Sequence, residues 1–258
     1  EEYANITTYG FCHNNPLIFI DPDGMGDYFN EKGIWLGSDG KNDNKVFAAQ
    51  NVSKSKSGLV NDVKNAKLLN ISYDKFVRQA SAVYGESSAY LVRNKKDEPS
   101  DEMMKEMYAI ASVHQRNSKA YGVNSEPAKD FRKKGESQRN ELPLMRTAIA
   151  AEINALLGGT DYSYEATMWD GAEQAQFSSN DMRRSTGRFE IHMNTMGWKI
   201  SDGHYAKWKK NVGKSFKAPQ IRIAPTHFND GKRNMNAGKT RLQSTAVYGR
   251  TIFWKGTK

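Results

Sequence analysis

One carboxylate in this sequence stands where a proton donor would be wanted. Glu86 lies in "AVYGESSAY", after an aromatic–glycine pair and at the end of a segment with helical spacing. A carboxylate there faces the negative end of the helix dipole, which disfavours its ionisation. Tyr84 and Tyr90, on either side, would withdraw it from water. Both effects raise an acid's pKa, as general-acid chemistry near neutral pH requires. Taken alone, the nonapeptide also reads as a solvated glutamate in a loop. A second group is made of His192, His204 and His227, in "FEIHMN", "SDGHYAKWKK" and "APTHFND", with Asp202 and Asp230 nearby. These residue types suit a histidine base or a metal site acting on a phosphodiester. No spacing matches a Cys/His zinc site or an H-E-x-x-H helix, so no metal is expected. Each histidine also reads as a structural residue.

Three helices would position Glu86 and what surrounds it. "SYDKFVRQASAVYGE" places Tyr73, Phe76, Val77, Ala80, Val83 and Tyr84 on one helical face. Ser72 is the expected N-cap and Gly85 the expected stop, which leaves Glu86 just past the helix end. "SDEMMKEMYAIASVHQRNSK" repeats the pattern, with Ser100 as cap, Asp101 and Glu102 in the first turn, and a Met103, Met107, Ile110, His114 stripe. "LPLMRTAIAAEINALLGG" places Leu142, Met145, Ile149, Ile153 and Leu156 on one face and stops at Gly158-Gly159. Upstream, "DYFN", "GIWLG" and "SDGKNDNKVF" read as short strands around turns. Asp39 and Asp43 give "DGKNDN" a faint calcium-loop look, but it lacks the twelve-residue pattern and its terminal Glu. Residues 48–70, polar and Ser/Lys-rich, are expected to include a linker. "STAVYGRTIFWKG" is β-prone and is expected to pair as a late strand.

Composition bounds the rest. The chain has 258 residues, 38% apolar and 26% charged, which is globular rather than disordered. No apolar run is long enough to span a membrane. Cys12 is the sole cysteine and cannot form an internal disulfide. From Ser178 to the end there are 17 Lys/Arg against 4 Asp/Glu, while the remainder carries 21 against 25. The basic third reads as a solvated face or as a surface for a polyanion: nucleic acid, membrane or an acidic wall polymer.

The first residues carry a resemblance. Tyr9-Gly10, Asn14-Asn15-Pro16 and Asp21-Pro22-Asp23-Gly24 resemble the "Y-x-Y-x-x-N-N-P-x-x-x-x-D-P-D-G" ending of the Rhs/YD-repeat core. In that family a variable C-terminal domain, usually a toxin, follows the signature. The resemblance implies that this chain is the tail of a far longer protein, with its function downstream of residue 25.

A second resemblance lies there. Tyr84-Gly85-Glu86, then Ala109, Ile110, Ala111 and Val113, then Leu156, Gly158, Asp161, Ser163 and Ala166 resemble three ordered blocks of the cell wall hydrolase family typified by spore-cortex-lytic enzymes. Gln115-Arg116-Asn117 stands for the usual Asn-Arg. Tyr162 replaces the Pro of "D-P-T-x-G-A", and Glu165 replaces its Gly. Trp169-Asp170-Gly171 stands where an aromatic-rich stretch is expected. The resemblance implies an α+β chain: an α-rich lysozyme-like domain with short N-terminal strands and a basic C-terminal α+β extension. The implied segments are 1–25, the end of the core signature; 26–69, strands and linker; 70–175, catalytic; and 176–258, basic.

It also implies an activity, the cleavage of peptidoglycan glycan strands with Glu86 as acid/base. Glycosidic cleavage needs a proton on the leaving oxygen and support for an oxocarbenium-like transition state. A second carboxylate is dispensable if the sugar's own hydroxyl or acetamido group attacks; otherwise Asp161 or Asp170 is the candidate. Tyr84, Asp161, Ser163, Thr167, Trp169 and Asp170 are the expected substrate contacts, and Tyr162 and Tyr164 further stacking aromatics. No cofactor is expected. The expected partners are peptidoglycan and a cognate immunity protein, for an effector delivered to the periplasm or wall of a target bacterium. The alternatives are an Rhs-tail nuclease using the histidines and basic surface, and a non-catalytic wall-binding module.

Overall fold

The computed structural model describes residues 25–92, 94–117, 124–170, 197–213 and 241–257. The residues before 25 that resemble the core signature, and His192, His227 and Asp230, lie outside them. The chain divides into two compact units, Glu1–Thr160 and Asp161–Lys258. It is an α+β protein, with strands preceding the helices. The expected catalytic span, 70–175, runs across the division between the units.

The first unit begins with β1 (Met25–Phe29), β2 (Trp35–Asn42) and β3 (Lys45–Ala48), where turn chemistry placed strands. Residues 48–70 are not a linker. They form β4 (Asn51–Lys54), β5 (Val60–Lys64) and β6 (Lys67–Ser72). Strands β4 and β5 pair as a hairpin, and the main sheet runs β2-β1-β3-β6 with β1 and β3 parallel. Strand β6 passes directly into helix α1 (Tyr73–Glu86), with Ser72 as both last strand residue and N-cap; its hydroxyl accepts from the Lys75 N–H. Helix α2 (Asp101–Arg116) starts on Ser100, as its sequence requires. Two shorter helices follow, α3 (Glu126–Lys133) and α4 (Glu136–Asn140), and then α5 (Pro143–Leu156).

The apolar stripes meet at the centre of this unit. Phe76, Ala80 and Val83 of α1, Met107, Ile110 and Val113 of α2, and Leu144, Ile149 and Ile153 of α5 are all buried. Phe29 of β1 reaches into the bundle and packs on Phe76 with ring centroids 5.2 Å apart. Polar side chains fix the sheet to the helices. The Asn140 amide accepts from the Trp35 N–H at 2.8 Å and donates to the Trp35 carbonyl at 3.0 Å, as a neighbouring strand would. At Gly33 (φ +74°) a side-chain carbon would lie 2.0 Å from the Arg146 carbonyl, so the β1–β2 turn seats against α5 only without one.

A buried polar knot ties α1 to α4. The Tyr73 hydroxyl and the Arg139 guanidinium both donate to Glu136, Arg139 at 2.6 Å. Arg139 also donates to the carbonyls of Phe131 and Lys134. Burial opposes a charge on Arg139, but Glu136 and Tyr73 beside it together outweigh burial and raise its pKa. Charge and partner are thus buried together, as a buried charge must be.

The second unit holds β7 (Met168–Asp170), β8 (Gly197–Lys199), α6 (Asp202–Gly213), β9 (Arg241–Tyr248) and β10 (Thr251–Thr257). The sheet runs β7-β10-β9-β8, with β8 parallel to β9. The late β-prone stretch is thus a hairpin, β9–β10, rather than a single strand. Trp208 of α6 is buried with Ile200, Leu242, Val247, Ile252 and Trp254. Its indole N–H donates to the Arg250 carbonyl, and Asn211 donates to the Gly249 carbonyl, so α6 clasps the hairpin turn.

Candidate active site

Glu86 is the last residue of α1 and is half-buried. The helix runs through Gly85 rather than stopping there. Gly85 is a packing glycine: a side-chain carbon on it would lie 2.4 Å from Ser125 Oγ and 3.0 Å from Ala128 Cβ, where α3 crosses. The stop comes at Ser87, whose N–H reaches the Val83 carbonyl and whose hydroxyl donates to the Tyr84 carbonyl.

The turn after Glu86 is held from α2. Glu106, fully buried, accepts from the Ser88 N–H at 2.8 Å and from the Ser88 hydroxyl at 3.0 Å. Two bonds from one carboxyl group fix the chain at this point. They also fix the direction of the bundle. Ser88 at the end of α1 meets the first half of α2, while Gln115 at the end of α2 donates to Glu152 of α5. Lys75, at the start of α1, stabilises the Glu152 carboxylate. Helix α1 therefore runs antiparallel to α2 and α5. Lys75 and Glu86 lie at opposite ends of α1, roughly 16 Å apart at 1.5 Å per residue.

Sequence reasoning missed both buried acids, although a signal was present. Glu106 falls three residues after Met103 and four before Ile110, and Glu152 three after Ile149 and four before Leu156. Both thus lie on the apolar stripes of their helices.

The expected substrate contacts fall in both units. Tyr84 is buried against Phe131 of α3, with ring centroids 5.8 Å apart, on the side of α1 away from Glu86. Burial, and then the charge of Asp130, raise the pKa of its hydroxyl. The Tyr90 ring, expected to cover Glu86, is largely exposed.

In the second unit Asp161 and Ser163 come together. Asp161 accepts from the Ser163 N–H at 2.8 Å, the Ser163 hydroxyl at 2.6 Å and the Glu165 N–H at 2.9 Å. Ser163 is buried, and its carbonyl accepts from Thr245 Oγ1. Both residues therefore shape the loop they lie in. Tyr164 crowns that loop at 63% exposure, an open aromatic face. Tyr162 meets Tyr248 edge-on at 6.4 Å. Thr167 is exposed, and its N–H donates to the Trp254 carbonyl. Trp169 and Asp170 lie on β7, opposite Phe253 and Ile252. Glu165, which stands where the cell wall hydrolase pattern has Gly, has φ +63°. That is the left-handed region a glycine enters without strain.

His204 is half-buried at the start of α6, where its Nδ1 shares a hydrogen bond with Ser244 Oγ at 2.9 Å. Burial and Lys207 lower its pKa. Ser244 also accepts from the Ser201 N–H, so this pair anchors the entry of α6. Asp39 accepts from the Tyr28 hydroxyl and the Lys41 N–H, and Asp43 from the Lys45 N–H. Among the described residues no three His, Cys, Asp or Glu side chains gather as a metal site would need. Nor is any described helix long and apolar enough to cross a membrane.

No protein-family model, curated protein or solved structure matches the chain.

Proposed function

We propose that this chain is the toxin tail of an Rhs-type protein and that it cleaves peptidoglycan glycan strands, as a muramidase or lytic transglycosylase, with Glu86 as general acid/base. The observation that carries this reading is the position of Glu86: last in a helix, half-buried, with the next turn held by Glu106. A fixed turn keeps the carboxyl aimed at one place. The left-handed backbone at Glu165, at the pattern's glycine, supports the same reading.

In the proposed reaction the Glu86 proton passes to the glycosidic oxygen as the bond to the anomeric carbon breaks. The resulting carboxylate then takes a proton from the attacking hydroxyl, either of water or of the sugar itself. Asp161 accepts three hydrogen bonds within its own loop. This favours a path that does not depend on it. The basic C-terminal third would hold the enzyme on anionic wall polymer, and the producing cell would carry an immunity protein. The test is expression directed to the periplasm or kept in the cytoplasm. Lysis only from the periplasm, lost with Glu86→Gln, is expected. Killing from the cytoplasm that Glu86→Gln leaves intact would overturn the assignment.

A further inference from the structure

A cavity of about 270 Å³ lies in the first unit, lined by Tyr84, Lys95, Asp130, Lys134, Leu142, Leu144 and Met145. That volume is just under the usual range of small-ligand pockets and far more than one trapped water needs. Its wall is divided. Leu142, Leu144 and Met145, from the start of α5, supply apolar surface. Asp130 and Lys134 neutralise each other in an ion pair of 3.4 Å. Lys95 is different. Its ammonium donates to the Ala89 carbonyl at 2.8 Å and makes no ion pair among the described residues. Burial lowers its pKa, against the weaker pull of Asp130. The Tyr84 hydroxyl stays protonated and is therefore a donor, because burial and Asp130 oppose its ionisation. Lys95 and Lys134 against Asp130 leave the lining one net positive charge, which beside a phenol donor and an apolar wall complements a single carboxylate on a small apolar body.

We infer that this cavity binds the C-terminal carboxylate and small apolar side chain of a short peptide, which in the substrate proposed above is the stem arm of the glycan strand. The identity of the peptide rests on that reading; the carboxylate chemistry does not. The geometry allows the reach. Tyr84 and Glu86 are two residues apart, about 200° around α1, so cavity and acid lie on opposite sides of a helix about 10–12 Å across. A stem of five extended residues spans about 17 Å. Lys95 holds the Ser88–Leu91 turn, which follows Glu86, at Ala89.

The test is calorimetric titration of the full chain with N-acetylmuramyl pentapeptide, which has no glycosidic bond to cut, and with its C-terminal carboxamide. The free acid should bind, and the carboxamide should bind about tenfold more weakly, the loss of one charge-assisted contact. Lys95→Gln should weaken acid binding by a similar factor, while Lys129→Gln, at an exposed lysine on α3 outside the cavity, should not. Acid and carboxamide binding alike, Lys95→Gln without effect, or no binding at millimolar peptide would each overturn the inference. The two proposals fail separately. Peptide binding that depends on Lys95, in a protein that cuts no glycan, removes the glycosidase and keeps the cavity. Cleavage that depends on Glu86, with no such binding, does the reverse.

Discussion

Glu152→Gln should remove a pH dependence built into the core. Glu152 is fully buried on α5; one carboxyl oxygen accepts from Gln115 at 2.8 Å, and the other has no hydrogen-bond partner among the described residues. Burial pushes its pKa up from 4.5 to about 8, against the weaker pull of Gln115 and Lys75. Between those values the folded state keeps the proton and the unfolded chain loses it. The contribution is therefore intact below pH 4.5 and is lost as pH rises towards 8, on the order of 5 kcal/mol in all at 1.36 kcal/mol per unit. His114 works in the opposite sense. Burial pushes its pKa down from 6.5 to about 4, so stability is lost as pH falls through that range. These two slopes cancel from pH 4.5 to 6.5 within the first unit. From pH 6.5 to 8, of the two, only Glu152 acts, and it should cost the wild type about 2 kcal/mol. The glutamine keeps the acceptor for Gln115 but cannot ionise, so its stability should stay level across that window. Urea titrations followed by helical circular dichroism at half-unit pH steps read the difference directly. A constant offset between the two proteins carries no weight, because a buried amide has costs of its own. Parallel curves from pH 6.5 to 8 would refute the reasoning.

Three further outcomes follow from single contacts. Gly85→Ala should destabilise the first unit by about 1–3 kcal/mol, measured by urea midpoint, because the new methyl meets Ser125 and Ala128 of α3. Glu136→Gln should cost about 3–5 kcal/mol in the same assay, since it strands the buried Arg139 charge. In the second unit, Ser244→Ala should cost about 1–2 kcal/mol and speed amide exchange at Ser201, which loses its acceptor.

The long helices were legible because each carries a full apolar stripe and a serine cap, at Ser72 for α1 and Ser100 for α2. Helix α3 was not. Its eight residues bury only Ala128 and Phe131, too few to show a period, although Ser125-Glu126-Pro127 carries a start signal. The β4–β5 hairpin was hidden for a related reason. Most of its side chains are solvated, so there is no alternation between core and water to read. Gly85 misled because the rule that glycine ends helices says nothing of a neighbour too close to admit a side chain. Of the candidate site, Glu86 stood out by its place at a helix end. Its support by Glu106 joins residues on different helices, and spacing within one helix does not reveal that pairing. Trp208 sits among lysines in sequence and yet forms the core of the second unit.

The central claim is that Glu86 donates the proton that breaks a glycan strand. The most direct measurement is mass spectrometry of the fragments released from purified sacculi by the full chain and by Glu86→Gln. Disaccharide-peptide products are expected from the wild type, ending in a reducing sugar or a 1,6-anhydro ring according to whether water or the sugar's own hydroxyl attacks. The folded variant should release at least about a hundredfold less. Equal release by both proteins would contradict the role of Glu86, and release of peptides without glycan scission would contradict the reaction itself.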